Sequence, residues 1–195
     1  MPLRTIYSFC LLLLFQFSAL ATDSPCFTPK PNHYTVYLFL GEECIISQQY
    51  TLKMRALHEK YSNEKVTFVG LFPNPSSNET KISAFKEDYQ LAFELKVDGM
   101  QQMMDRFGVR VTPEVVVFND EKEEVIYQGR IDNMFFRVGK RRTVTTTSEL
   151  EDVLESIKND SIKEFSKTDA VGCFITPLDA QLKNMKMCKP VGGSK

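Results

Sequence analysis

The sequence predicts an α/β sandwich in which a mixed β-sheet is flanked by helices. Two runs rich in β-branched and aromatic residues, at 34–40 and 65–72, are typical of buried strands. The stretch between them has helical spacing, so the three segments form a β–α–β unit. A hairpin pattern at 111–131 and an amphipathic pattern at 148–157 follow, and these predict antiparallel strands and a last helix that close the sheet.

The first predicted helix begins at Cys44. Its apolar positions are spaced by four, four, three and four residues and form one face: Ile46, Tyr50, Met54, Leu57 and Tyr61. A short second helix follows a turn-rich segment and has Asn78 as a candidate cap. Residues 91–98 connect onward with the character of a short edge strand, and residues 100–109 predict a helix that ends at Gly108.

The segment VTPEVVVFN at 111–119 predicts a strand that is entered through Thr112 and Pro113. Proline has no N–H to give to a sheet, and a cis bond before it would suit so tight an entry. The last helix opens with the residues of a capping box, Ser148 and Glu151.

The N-terminal segment has the pattern of a secretory signal. A basic start, an apolar run and the small-residue motif ALA predict a signal peptide at 1–21, with the mature chain beginning at Thr22. A leader loop at 22–33, the domain at 34–160 and a C-terminal extension at 161–195 complete the predicted organisation. We therefore expect an exported protein, periplasmic or extracellular. If the signal were not cleaved, it would anchor the chain in a membrane.

The charge balance points away from nucleic acid as a partner. The chain has 24 basic and 25 acidic residues, a formal net charge of −1. Its basic cluster, GKRR at 139–142, is interpreted as a solvated loop.

Four cysteines remain after removal of the signal, which contains Cys10: Cys26, Cys44, Cys173 and Cys188. In an oxidising compartment they allow three fully paired connectivities, and the sequence does not choose among them. Cys44 has the most informative position, because a helix N-terminus stabilises a thiolate. Glu42 and Glu43 beside it oppose a second negative charge. The alternative is that Cys44 is only a small buried apolar residue.

The chain resembles the thioredoxin-like superfamily, specifically exported redoxin-domain proteins related to the alkyl hydroperoxide reductase/thiol-specific antioxidant group. The matching pieces are FLGEECII, FVGLFPN, FGVRVTPEVVVFN, VIYQGRIDN, GKRR and AVGCFI. The resemblance implies a thioredoxin-like three-layer sandwich with Cys44 as the reactive thiol. It also implies a cis-proline loop, Thr112 and Pro113, that faces Cys44 and pairs with the substrate backbone.

The sequence departs from this family pattern at several positions, among them Ile45, which follows the cysteine where proline is common. Ser47 stands where a second cysteine is usual, and Leu38 stands where thioredoxins bury an acid. Tyr37 and Gly41 replace the proline and threonine of the peroxidase motif, which argues against a thiol peroxidase. A partner for Cys44 must therefore come from elsewhere in the chain or from outside it.

Cys173 in AVGCFI is the leading candidate for that partner, since Val171 and Phe174 beside it suggest a packed site. The alternative is a structural disulfide from Cys173 to Cys26 or Cys188. The predicted function is thus an extracytoplasmic thiol–disulfide oxidoreductase without cofactor or metal, acting on protein thiols or disulfides with a further redox partner.

A thiol peroxidase is a less favoured alternative, and two further functions remain open. One is a non-catalytic thioredoxin-like binding module in which the cysteines only stabilise the fold. The other is a copper carrier, for which the soft ligands would be Met185, Met187 and Cys188.

Overall fold

The computed structural model describes residues 32–179. Residues 1–21, Cys26 and Cys188, which entered the predictions above, lie outside this range, as do the candidate copper ligands. The elements in chain order are β1 (Tyr34–Phe39), α1 (Ile45–Tyr61), β2 (Val66–Phe72), α2 (Glu79–Asp88), β3 (Glu94–Val97), α3 (Gln102–Phe107), β4 (Val111–Thr112), β5 (Glu114–Asn119), β6 (Glu124–Gly129), β7 (Phe135–Arg137), β8 (Lys140–Arg141), α4 (Glu149–Lys158) and β9 (Cys173–Phe174).

The central sheet is mixed, as predicted. Its strand order is β3-β2-β1-β5-β6. The strands β1, β2 and β3 run parallel to one another, whereas β5 is antiparallel to both β1 and β6. The crossover helix α1 therefore leaves the carboxyl end of β1, a strand at the centre of the sheet.

Alternation along the strands gives the sheet two buried faces. Val115 and Val117 of β5 belong to a large core that includes residues of α1, α2 and α4. Val116 and Phe118 of the same strand belong to a smaller core with Met104 and Phe107 around α3. Helices thus cover both faces of the sheet, which gives the three layers that the sequence predicted.

Two local predictions need correction. The run 111–119 is two strands, because Pro113 interrupts it between β4 and β5. The capping box at α4 does not form, since the Ser148 side chain makes no cap hydrogen bond. Glu151 instead binds Lys53 of α1, with Nζ to Oε2 at 2.7 Å, and Lys60, with Nζ to Oε1 at 3.1 Å. The Asn78 cap does form, and its side chain accepts from the Lys81 N–H at 3.0 Å.

The sequence analysis missed the hairpin of β7 and β8 and the short strand β9. Each of these strands has two or three residues, which is too short for a period of two to be recognised. Over residues 32–179, no helix has the length and apolar character needed to cross a bilayer.

Candidate functional site

Cys44 lies where the central strand β1 gives way to helix α1. It is the N-cap residue, with an extended backbone (φ −81°, ψ 109°). Its N–H donates to the Gly41 carbonyl at 3.1 Å, and its carbonyl accepts from the Gln48 N–H at 3.0 Å, which starts the helix. The side chain is 4% exposed. The thiol therefore sits beside the unpaired N–H groups of a helix start, where an anion is stabilised.

The loop before β5 packs directly against this thiol. The Thr112–Pro113 peptide bond is cis, and both residues are buried. The Cys44 thiol donates to the Thr112 carbonyl at 3.1 Å. Two of the residues singled out from the sequence, Cys44 and Thr112, are thus in contact, and Pro113 follows Thr112 directly.

Cys173 reaches the same place from the C-terminal side of the chain. Strand β9 pairs antiparallel with β4, so that Cys173 is the register partner of Thr112. The approach is close, because a Cβ atom placed on Gly172 would lie 2.1 Å from the Thr112 carbonyl oxygen. Within residues 32–179 the cysteines are Cys44 and Cys173, both free thiols, and both line the same small cleft.

The two thiols have opposite acid–base character. Burial disfavours the Cys44 thiolate, but hydrogen bonds from Cys173, from the backbone and hydroxyl of Ser47 and from Thr112 outweigh it, so that the pKa of Cys44 is lowered. Burial, the hydrogen bond with Cys44 and the charge of Cys44 raise the pKa of Cys173 well above its ordinary value. The pair therefore favours a single negative charge, and that charge resides on Cys44.

Ser47 is a site residue that the sequence analysis treated only as a missing thiol. It is fully buried, and its Oγ accepts from the Gly41 N–H at 3.3 Å. Its backbone and its hydroxyl are among the groups that lower the pKa of the Cys44 thiol. The signal in the sequence was a hydroxyl residue in the first turn of a helix that begins with a thiol.

We expect Ser47→Ala to slow the alkylation of Cys44 by iodoacetamide at pH 7 by roughly threefold to tenfold. The substitution removes a hydroxyl donor to the thiolate, so the pKa of Cys44 rises and less thiolate is present at this pH. The difference in alkylation rate should disappear at pH values where Cys44 is fully ionised in both proteins. Peptide mapping after timed labelling gives the rate at Cys44 separately from that at Cys173.

Ser156→Ala is the matched control, because Ser156 is also a buried helix serine but donates to the Val153 carbonyl. An unchanged pH profile in Ser47→Ala would mean that the serine hydroxyl does not stabilise the thiolate.

A small cleft opens beside the thiols. Its volume is about 120 Å³, and its lining residues are Glu42, Glu43, Cys44, Asn74, Ser76, Thr112 and Cys173. Pockets that enclose small organic ligands are larger, roughly 300–1,000 Å³. The cleft therefore suits a group that is presented from outside better than an enclosed cofactor.

The two carboxylates at this cleft are engaged elsewhere. Glu42 accepts from the Ser77 hydroxyl at 2.9 Å, and Glu43 pairs with Lys81 at 3.3 Å. The pKa of Cys44 is lowered despite these two neighbouring carboxylates.

Comparisons with known proteins give a family and a fold. The family model described as the AhpC/TSA family matches residues 30–132, a range that includes Cys44, Thr112 and Pro113 and ends before Cys173. No curated protein matches the chain by sequence.

Two solved structures illustrate the likeness in fold. A hypothetical protein from Sinorhizobium meliloti 1021 is 15% identical with a TM-score of 0.62, covering 74% of this chain and 79% of its own. An uncharacterized conserved protein from Geobacillus kaustophilus is 20% identical with a TM-score of 0.64, covering 76% of this chain and 79% of its own. At these identities the likeness concerns the fold alone, and the fold is thioredoxin-like, as the sequence predicted.

Proposed function

The chain belongs to the AhpC/TSA family, and on that premise we propose that it is a thiol–disulfide oxidoreductase. Cys44 is the nucleophile, and Cys173, from the extension at 161–195, is the second thiol of the pair. The observation that carries the proposal is that these two thiols, 129 positions apart in the sequence (173 − 44), line one small cleft. The pairing of β9 with β4 brings Cys173 to this cleft.

The first step is attack of the Cys44 thiolate on a substrate disulfide. A bond forms between the Cys44 sulfur and one substrate sulfur, and the substrate disulfide breaks. The second substrate sulfur leaves as a thiolate and takes up a proton from solvent. The lowered pKa of Cys44 supports this role, since the thiolate is the reactive form.

The second step is attack by Cys173 on the Cys44 sulfur of the mixed disulfide. Cys173 loses its proton to solvent, the Cys44–Cys173 disulfide forms, and the bond between Cys44 and the substrate sulfur breaks. The substrate sulfur leaves as a thiolate and takes up a proton. Two electrons have then passed from the cysteine pair to the substrate. Two of the causes that raise the pKa of Cys173 are its hydrogen bond with Cys44 and the charge of Cys44. Both disappear once Cys44 is in a mixed disulfide, so the first step prepares Cys173 for the second.

Exposed apolar side chains support a polypeptide as the substrate. Ile45, next to the nucleophile, is 53% exposed, and Phe174, next to the second thiol, is 86% exposed. Apolar residues that flank a reactive group offer contacts to a protein surface and little to a small polar disulfide. Thr112 and Pro113 remain proposed substrate contacts. The edge of β4 is occupied by β9, so a substrate backbone pairs with Thr112 only after β9 moves.

A thiol map tests this proposal directly. The reduced full chain is mixed with one equivalent of a disulfide-bonded peptide, quenched in acid, alkylated and digested for mass spectrometry. We expect a cross-linked peptide pair that contains Cys44 and Cys173. Links from Cys173 to Cys26 or Cys188, with Cys44 still reduced, would instead identify a binding module with structural disulfides.

Export is also proposed, from the pattern of residues 1–21 and the expected use of disulfides outside the cytoplasm. We expect the mature N-terminus at Thr22 or within two residues of it. N-terminal sequencing of protein from the native host measures this, and a mature chain that begins at Met1 or Pro2 would contradict cleavage.

A further inference from the structure

Gln101 is a fully buried polar side chain that binds the backbone just after Cys173. We name residues 170–178, which contain Cys173, the strap. The Gln101 carboxamide donates from Nε2 to the Pro73 carbonyl at 3.0 Å and to the Thr176 carbonyl of the strap at 2.7 Å. Its Oε1 accepts from the Leu178 N–H at 2.6 Å. Both ends of the amide are therefore used, and two of its three bonds go to the strap backbone.

The backbone of Gln101 is itself fixed. It is the N-cap residue of α3, with a left-handed conformation at φ 56°. Its N–H donates to the Asp98 carbonyl at 2.7 Å, and its carbonyl accepts from the Asp105 N–H at 2.9 Å. The carboxamide therefore extends from a rigid point on the body of the domain.

The chain is held by hydrogen bonds on both sides of Cys173. Just before the strap, the Thr168 N–H donates to the Gln128 carbonyl at 3.1 Å. After Cys173, Ile175 is 7% exposed in the smaller core, and its N–H donates to the Arg110 carbonyl at 3.0 Å. The Thr176 N–H donates to Asn74 Oδ1 at 3.3 Å. Gln101 supplies the shortest of the contacts after the cysteine.

We propose that Gln101 is a positioning residue for thiol exchange, which holds the Cys173 thiol against Cys44 before the disulfide forms. The inference rests on the proposed function and adds to it a determinant of the redox potential. A strap that is already ordered in the reduced protein loses little further conformational entropy when the disulfide closes. The disulfide is therefore more stable, and the reduction potential lower, than with a strap that is free to move. Releasing the strap weakens the disulfide without changing either cysteine.

Gln101→Asn is the most direct test. Asparagine accepts the left-handed conformation at least as well as glutamine, but its amide is one methylene shorter and cannot reach both strap groups. Gln90→Asn is the matched control, because Gln90 has nearly the same backbone conformation (φ 53°) and is exposed. The measured quantity is the equilibrium between the Cys44–Cys173 dithiol and disulfide in glutathione buffers, read by acid quench, alkylation and mass spectrometry.

We expect Gln101→Asn to lower the equilibrium constant for disulfide formation at least tenfold, which is about 30 mV for a two-electron couple. Gln90→Asn should match the wild type. A potential in Gln101→Asn equal to that of the wild type and of Gln90→Asn overturns the inference, while the proposed function stands. If the wild type itself forms no Cys44–Cys173 disulfide in any buffer, the proposed function has failed.

A second variant guards against a folding defect at position 101. Leu178→Pro removes the strap N–H that donates to Gln101 and leaves the body of the domain unchanged. It should shift the potential in the same direction, and the double variant should shift it by less than the sum of the two. Full additivity, or no shift in Leu178→Pro, would mean that Gln101 does not act through the strap.

Discussion

Replacing Cys44 with serine is expected to lower the rate at which the protein reduces a disulfide-bonded peptide by at least about 1,000-fold. Replacing Cys173 with serine is expected to trap the peptide on Cys44 as a mixed disulfide. A serine hydroxyl is neither ionised near neutral pH nor able to form a disulfide, so Cys44→Ser stops the first step. In Cys173→Ser the first step proceeds, because Cys44 remains at the helix start with Ser47 and Thr112 around it. The mixed disulfide then waits for an external thiol.

A non-reducing gel and intact-mass measurement distinguish the two variants. Cys173→Ser should gain the mass of one half of the peptide, and the adduct should disappear on reduction. Cys188→Ser, which changes a cysteine outside the described residues, is the control and is expected to turn over normally.

Each contrary outcome bears on a different part of the proposal. Unchanged turnover in Cys44→Ser would reject catalysis by this thiol and favour the binding-module function. Normal release of product in Cys173→Ser would leave Cys44 as nucleophile and assign the second step to an external thiol. The two results are separable because the two steps use different sulfur atoms.

The sequence was sufficient for the part of the site that belongs to regular elements. The strand at 34–40 and the helical spacing after Cys44 predicted a thiol at the junction of β1 and α1, and the structure has it there. The hydrophobic pattern predicts such junctions because burial of one helix face fixes where the helix begins. Thr112 was placed by the same reasoning at the entry to a buried strand, and its proposed role in the site came from the family resemblance.

The C-terminal half of the site could not be predicted in the same detail. Strand β9 has two residues and pairs with a strand of two residues, so neither leaves a pattern along the chain. Gln101 gave no signal at all, because a buried glutamine with a left-handed backbone is held by backbone carbonyls and N–H groups that are close only in the folded protein. Cys173 was selected by its flanking residues, whereas its contact with Cys44 depends on tertiary structure.

The same limit bears on the acid–base prediction. From the sequence, Glu42 and Glu43 were expected to oppose ionisation of Cys44. In the folded chain their carboxylates bind Ser77 and Lys81, both distant in sequence. Burial raises the pKa of Cys44 and hydrogen bonding to the thiolate lowers it by more, and both depend on residues brought together by folding.

Gly172→Ala should separate the two thiols while leaving the nucleophile in place, and it is the second substitution for which we expect a large effect. The added Cβ would lie 2.1 Å from the Thr112 carbonyl oxygen and 2.6 Å from its carbonyl carbon. These are backbone atoms of a buried loop and cannot rotate away, so β9 must leave β4. We expect the equilibrium constant for the Cys44–Cys173 disulfide to fall by on the order of 100-fold, measured in glutathione buffers.

Alkylation provides the complementary measurement. With β9 displaced, Cys173 loses its burial and its contact with Cys44, so the causes that raise its pKa are removed and its labelling at pH 7 should accelerate. Gly99→Ala is the matched control, because a Cβ there would meet only the Val97 Cγ1 atom, at 3.4 Å. If Gly172→Ala kept the wild-type disulfide equilibrium, the pairing of β9 with β4 would not be what brings the cysteines together. In that case the contacts of the strap after Cys173, including those to Gln101, would alone hold the thiol in place. The double variant Gly172→Ala, Gln101→Asn would then lose the disulfide.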